Sequence, residues 1–307
     1  KAEAALCKGQ LSVNIPLFEL KGKGYNLPIS LSFSNGGVTF STEASPIGLG
    51  WALMAGGVIS KTIKGTDDTA NDGISREPHY NDHFLHNNFY NNNENILHNI
   101  LDTVRLDPMP DEYSYSLPGH SGTIDVTIEG GAISRKLYPD ESYRIEDSEH
   151  GLCITADDGT KFYFEELEEH LSNPDEEFKS ASWFLTRIVT IKGGVFTFNY
   201  AKEEYVDLSS KQYQIEYKKY RTNRITSIVS DYGSVVFHSV ERSDRGEIGN
   251  QSITSGFESQ RIDRIELRDK TGNLVKGFEL DNSGYFDHFF IPHDYSWTDI
   301  CSLGAIG

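Results

Sequence analysis

The chain has 307 residues, and its 28 Lys and Arg against 46 Asp and Glu give it a formal charge of −18. That length allows one large domain or two ordinary ones, and the acidic balance excludes the basic face that nucleic-acid binding needs. With 37% hydrophobic and 12% aromatic residues the chain is too apolar to stay disordered, and no stretch approaches the 18 apolar residues of a membrane-spanning helix.

Period-2 alternation dominates from the start. Leu11, Val13, Ile15 and Leu17 are apolar between polar Ser12 and Asn14, and Ile29, Leu31 and Phe33 alternate with Ser30, Ser32 and Ser34. Both runs predict half-buried strands, and Asn35-Gly36 after the second is a hairpin-turn signal. Lys21-Gly22-Lys23-Gly24 lacks the spacing of a phosphate loop and reads as a hairpin tip. Gly48-Leu49-Gly50-Trp51 sets glycines around a bulky indole, which predicts Trp51 as a core anchor packed near Val58-Ile59; a sugar-stacking platform is the alternative.

The pattern breaks over residues 67–110. Ile96, Leu97, Ile100, Leu101 and Val104 have helical spacing, Asn91-Asn92-Asn93 offers a cap, and Asp107-Pro108-Met109-Pro110 stops the helix. The segment is expected to be a loop plus short helix inserted between β segments. Strands resume at Ile124, Val126 and Ile128, with Gly130-Gly131 turning the chain toward Ile133. Leu152, Ile154 and Ala156 lead to Asp158-Gly159, read as a two-residue turn, and then to Phe162 and Phe164. From Glu165 to Glu177 seven of thirteen positions are acidic, which predicts a solvated loop or helical turn.

A repeat emerges in the second half. Leu185-Thr186-Arg187-Ile188, Ile225-Thr226-Ser227-Ile228 and Ile262-Asp263-Arg264-Ile265 each place two apolar residues three apart, and their last residues lie 40 and then 37 positions apart. A turn glycine follows each (Gly193 or Gly194, Gly233, Gly272), and then an aromatic-bearing strand. A period of this size marks a stacked array of β-hairpins.

Several residue groups invite a chemical role. Cys7, Cys153 and Cys301 are odd in number and far apart, which argues against a disulfide framework or zinc ribbon; Cys153 sits in an apolar alternation, and Leu6 before Cys7 argues against a lipoprotein signal. Gly119-His120-Ser121-Gly122 sets His beside Ser, but Thr123 stands where a nucleophile elbow needs glycine, and neighbours on an extended chain face opposite ways. His79, His83 and His86 lie near Asp82, yet residues 79–83 read His-Tyr-Asn-Asp-His and not a zinc-protease motif. Asp67, Asp68 and Asp72 resemble a calcium loop only loosely, with Gly73 at its seventh position and Pro78 at its twelfth. No local motif favours any carboxylate pair as a glycosidase acid and base. The reading therefore names no catalytic, cofactor-binding or metal-binding residue, leaving a surface calcium site as the one open cofactor question.

Gly9-Gln10-Leu11-Ser12-Val13-Asn14-Ile15-Pro16-Leu17, Leu27–Phe33, Gly48–Leu53 and Ala55–Ser60 together resemble the opening of RHS/YD-repeat proteins and their SpvB-like N-terminal regions. Pro110–Tyr115 and Gly119–Gly122 resemble the next block, and Trp183–Ile188 followed by Gly193–Tyr200 resembles one repeat unit, so the likeness runs from Gly9 to Leu280. Tyr-Asp itself does not close these units; Asn199-Tyr200 and Glu279-Leu280 stand there, which marks the repeats as degenerate. The resemblance implies a large secreted or cell-surface bacterial protein whose hairpins wind into a shell, enclosing a toxin or serving adhesion.

The expected fold is all-β, with antiparallel hairpins forming a sandwich or the start of a spiral shell and a short helical insertion. The expected organisation is an SpvB-like β region (1–66), the insertion (67–110), β-hairpins (111–180) and degenerate YD-like repeats (181–307). The chain begins at Lys1 and ends at Gly307 like a piece of a longer polypeptide. The expected function is a non-catalytic scaffold whose partners are downstream segments of its own chain. The alternative is an adhesin module binding surface glycans or proteins.

Overall fold

The computed structural model describes residues 2–5, 10–34, 45–64, 111–129, 132–171, 179–211, 214–241 and 260–281. The described part is all-β and antiparallel, as the alternation predicts. The expected helix at Ile96–Val104, the histidines at 79–86, the acidic group at 67–72 and the turn signal at Asn35-Gly36 lie outside the described residues.

A four-stranded sheet holds β1 (Ala2–Ala5), β2 (Gln10–Gly22), β3 (Tyr25–Ser34) and β4 (Trp51–Met54) in chain order. Gly22 pairs with Tyr25, so Lys23-Gly24 is the hairpin tip expected from the sequence. Along β3 the alternation becomes burial: Leu27, Ile29 and Leu31 face the core while Asn26 and Pro28 are exposed.

The larger sheet has 13 strands. One wing holds β5 (Val58–Thr62), β6 (Glu112–Leu117), β7 (His120–Glu129) and β8 (Ala132–Tyr138). β9 (Arg144–Asp147) and β10 (Leu152–Thr155) pair with each other, and β10 adds to β11 (Lys161–Leu171). β12 (Lys179–Val189), β13 (Val195–Lys211), β14 (Gln214–Ser230), β15 (Gly233–Glu241), β16 (Gln260–Asp269) and β17 (Leu274–Glu279) then run as successive hairpin strands. One edge of β12 divides between β13 at Arg187–Val189 and β5 at Ser182–Phe184, so the first wing joins the hairpin array there. The small sheet lies on the array: Phe18 meets Phe278 at 5.2 Å, Tyr25 stands edge-on to Phe196 at 5.9 Å, and Thr190 Oγ1 donates to the Lys23 carbonyl at 2.6 Å.

The structure explains the repeat in detail. Two residues three apart cannot share a face of a regular strand, whose side chains alternate with period two. In each unit one residue is bulged out, and this restores the phase. Against β11 the register passes from Arg187 to Leu185, against β13 from Ser227 to Ile225, and against β15 from Arg264 to Ile262. The skipped residues are Thr186, Thr226 and Asp263, the second position of every motif. Beyond the bulge Ile188, Ile228 and Ile265 pair with Phe162, Phe198 and Phe237, and all six side chains are buried. Thr186 and Thr226 donate their hydroxyls to the partner-strand carbonyls of Tyr163 and Asn199, at 3.1 and 3.0 Å.

Two sequence expectations are corrected. The first part of the acidic run is no loop: Glu165 to Leu171 continue β11, and carboxylates there are met by groups from β13 and β14, while residues 172–177 lie outside the described residues. Lys202 reaches Glu166 at 2.9 Å, Thr222 donates to Glu168, and Arg221 lies 3.6 Å from Glu169. These like charges along one strand are tolerated because a cation or hydroxyl from another strand meets each of them. The turn at Asp158-Gly159 is not a two-residue turn. Ala156 N–H donates to the Thr160 carbonyl and Gly159 N–H to that of Ala156, closing a three-residue loop. Thr190–Gly194 and Asp269–Asn273 repeat this bonding, with Gly159, Gly193 and Gly272 at φ of 84°, 76° and 86°, the left-handed backbone such loops require.

Candidate functional site

A linked set of polar and aromatic side chains forms where the β6–β7 hairpin meets the corner after β8. Tyr115 and Leu117 face inward from β6, both buried, and Pro118-Gly119 turns the chain into β7 at His120. Gly122 has a packing reason: a Cβ there would sit 2.9 Å from Pro139 Cδ and closer still to the Tyr138 carbonyl, so only glycine lets the corner approach β7. The corner thereby brings Asp140 and Tyr143 over the hairpin.

Four side chains then connect in series. Tyr115 donates its hydroxyl to Asp140 Oδ2 at 2.6 Å, His120 Nδ1 lies 3.1 Å from Asp140 Oδ1, and His120 Nε2 lies 3.1 Å from the Tyr143 hydroxyl. The imidazole also tilts against the Tyr143 ring at 5.1 Å. The Tyr115 hydroxyl, followed by the His120 ring, holds the Asp140 carboxyl below the usual carboxylate range. Burial, then the bond to Asp140, pushes the Tyr115 phenol upward. Burial, then the negative charge of Asp157 and Asp140, raises that of Tyr143.

An aspartate orienting one histidine nitrogen is the support a general base requires. Ser121 does not complete such a unit. It pairs with Ser116 and follows His120 on an extended strand, so it takes the opposite face. The arrangement is a clamp: it ties the 139–143 corner to the β6–β7 hairpin through hydrogen bonds that are strongest with Asp140 ionised. Sequence reasoning singled out His120 but missed Asp140, Tyr115 and Tyr143, because their meeting depends on β7–β8 register and not on local spacing.

Other candidates that fall within the described residues are packed side chains. Trp51 is half-buried against Phe33, with ring centroids 5.1 Å apart, and packs on the core. Trp183 stacks on Tyr113 at 6.5 Å. Cys153 is a buried free thiol whose pKa burial raises. Among the described residues no group of three or more His, Cys, Asp or Glu is arranged to hold a metal ion, and no helix is long and apolar enough to cross a membrane.

In the crystal structure of TcdB2-TccC3 a similar fold recurs with a TM-score of 0.50 at 14% identity, covering 92% of this chain and 15% of that one. The N-terminal domain of effector protein SpvB from Salmonella typhimurium strain LT2 matches with a TM-score of 0.45 at 14% identity, covering 84% of this chain and 87% of that domain. The present chain thus spans a small part of the TcdB2-TccC3 chain. No curated protein sequence matches it. The family model for SpvB, Salmonella virulence plasmid 65kDa B protein, matches residues 5–248, and with most of its length inside that match the chain belongs to the SpvB family.

Proposed function

We propose that this chain is a non-catalytic β-scaffold within a larger secreted, toxin-associated protein of RHS/YD-repeat type, on which further hairpins of the same polypeptide build. The observation that carries the reading is the repeated bulged hairpin and the edge of its last described strand. Phe162, Phe198 and Phe237 are each buried by a paired isoleucine on the next strand, whereas on β17, the last described strand, Phe278 pairs back with Ile265 and is only half-buried. Leu274 and Val275 of the same strand are 58% and 61% exposed, and among the described residues β17 pairs only with β16. An apolar strand edge of this kind is a template for another strand. The family's link to a virulence plasmid and the likeness to part of the TcdB2-TccC3 chain support the toxin association. Against the adhesin alternative, Trp51 and Trp183 are half-buried and packed on Phe33 and Tyr113 instead of standing as fully exposed rings.

Structure determination of the full-length protein tests the proposal. The expected result is a strand of downstream sequence hydrogen-bonded to β17, with Phe278 buried. A β17 edge left in solvent, or a full-length protein in which this region is joined to the rest only by a linker, overturns it.

A further inference from the structure

We propose that Lys61 and Asp111 are the site of an autocatalytic intramolecular amide bond, a covalent staple between β5 and the start of β6. The two residues are diagonal neighbours on one face: Lys61 pairs with Tyr113, and Asp111 lies two positions before Tyr113, on the same side. Lys61 Nζ sits 3.2 Å from Asp111 Oδ2, and the two side chains are 0% and 1% exposed. A lysine and an aspartate so completely withdrawn from water carry a dehydration penalty as ions that their attraction offsets only in part. A proton passing from Nζ to Oδ2 removes both charges and leaves an amine in contact with a carboxylic acid, the pair of neutral forms that condenses.

The surroundings suit that step. Asp111 Oδ1 accepts the Lys64 N–H at 3.1 Å, a backbone donor aimed at the oxygen that gains negative charge when the carbonyl carbon is attacked. The Nζ lone pair forms the new bond to Cγ of Asp111. The Cγ–Oδ2 bond breaks, and Oδ2 leaves as water with the proton it already holds and one from the amine. No oxidant or other reactant is needed, and the groups are held in contact by the β5–β6 ladder rather than meeting by diffusion. With both side chains shielded from solvent, the reverse hydrolysis lacks its reactant. The staple would close the long stretch between residues 61 and 111 at its base, removing conformations from the unfolded chain as a disulfide does.

Intact-mass measurement and peptide mapping of the whole purified chain test this. The expected result is a chain lighter by one water, with a branched peptide joining the Lys61 and Asp111 segments that survives boiling in reductant. Asp111→Asn should lose ammonia in place of water at the same link, and Lys61→Arg should restore the full mass. Full mass with separate Lys61 and Asp111 peptides overturns the proposal and leaves a buried ion pair. A water loss that maps to Asp158-Gly159, where an aspartate before glycine can cyclise, overturns it equally. The map of the unmodified protein decides the matter even if a variant fails to fold.

Discussion

The bulges of the three hairpin units make a quantitative prediction at Asp263. In the first two units the bulged residue is threonine, and its hydroxyl donates to the partner-strand carbonyl that the bulge displaces from the ladder, Tyr163 O or Asn199 O. In the third unit the bulged residue is Asp263, which as a carboxylate has no proton to give to the equivalent carbonyl of His238. Its Oδ1 is moreover buried with no hydrogen-bond partner among the described residues. Asp263→Thr therefore removes an unsatisfied buried acceptor and adds a donor in a position where the same backbone geometry occurs twice. A net hydrogen bond contributes about 0.5–1.5 kcal/mol and relief of a buried unsatisfied group about 1–3 kcal/mol; with the side chain only partly buried, the expected gain is about 1–2 kcal/mol. Equilibrium urea unfolding reads it as a higher midpoint at unchanged slope. Thr226→Val, which deletes the corresponding hydroxyl where it is exposed, should lower stability by about 0.5–1 kcal/mol. If Asp263→Thr lowers the midpoint, or Thr226→Val leaves it unmoved, the bulge hydroxyls do not hold the repeat in register.

Two further tests address the sheet interface and the His120 clamp. Gly22→Ala places a methyl group against the fully buried Phe196 ring, whose Cε1 would lie 3.0 Å away and whose Cζ nearer still; it should cost about 1–3 kcal/mol by overpacking, and Phe196→Leu, which shortens the ring's reach, should recover part of that in a double-mutant cycle, strict additivity being the contrary result. Tyr115→Phe deletes the bond to the Asp140 carboxylate and should cost about 1.5–3 kcal/mol at neutral pH. Because the folded-state pKa of Asp140 is depressed, its stabilisation is complete above the unfolded value of about 3.9 and fades as pH falls through the folded value. The gap between wild type and Tyr115→Phe in urea midpoint should thus narrow in acid, and a gap independent of pH would mean that the Tyr115–Asp140 bond is not what the substitution removes.

How far the sequence could be read depended on the range of the interaction involved. Strands such as β3 were legible because alternation is a local signal, and the motif spacing of three was legible as a repeat. Its meaning was not, since a bulge is defined only against a partner strand. The acidic run misled for the same reason. Glu166, Glu168 and Glu169 look like a solvated loop until Lys202, Thr222 and Arg221 are placed beside them by pairings that span dozens of residues. Asp140 was invisible as a site residue because nothing near it in sequence announces Tyr115 or His120.

The same contrast bears on what this fold can do. Its strongest polar groupings lie on the ladder itself: Arg224 with Glu203, Arg221 and Lys219 with Glu204, and Arg268 with Glu266. Each ties neighbouring strands, or positions two apart on one strand, and so holds the ladder together. Among the described residues the one buried carboxylate oxygen without a hydrogen-bond partner, on Asp263, falls at a repeat position where two sister units are satisfied by threonine. The missing threonine hydroxyl at that repeat position accounts for the orphan.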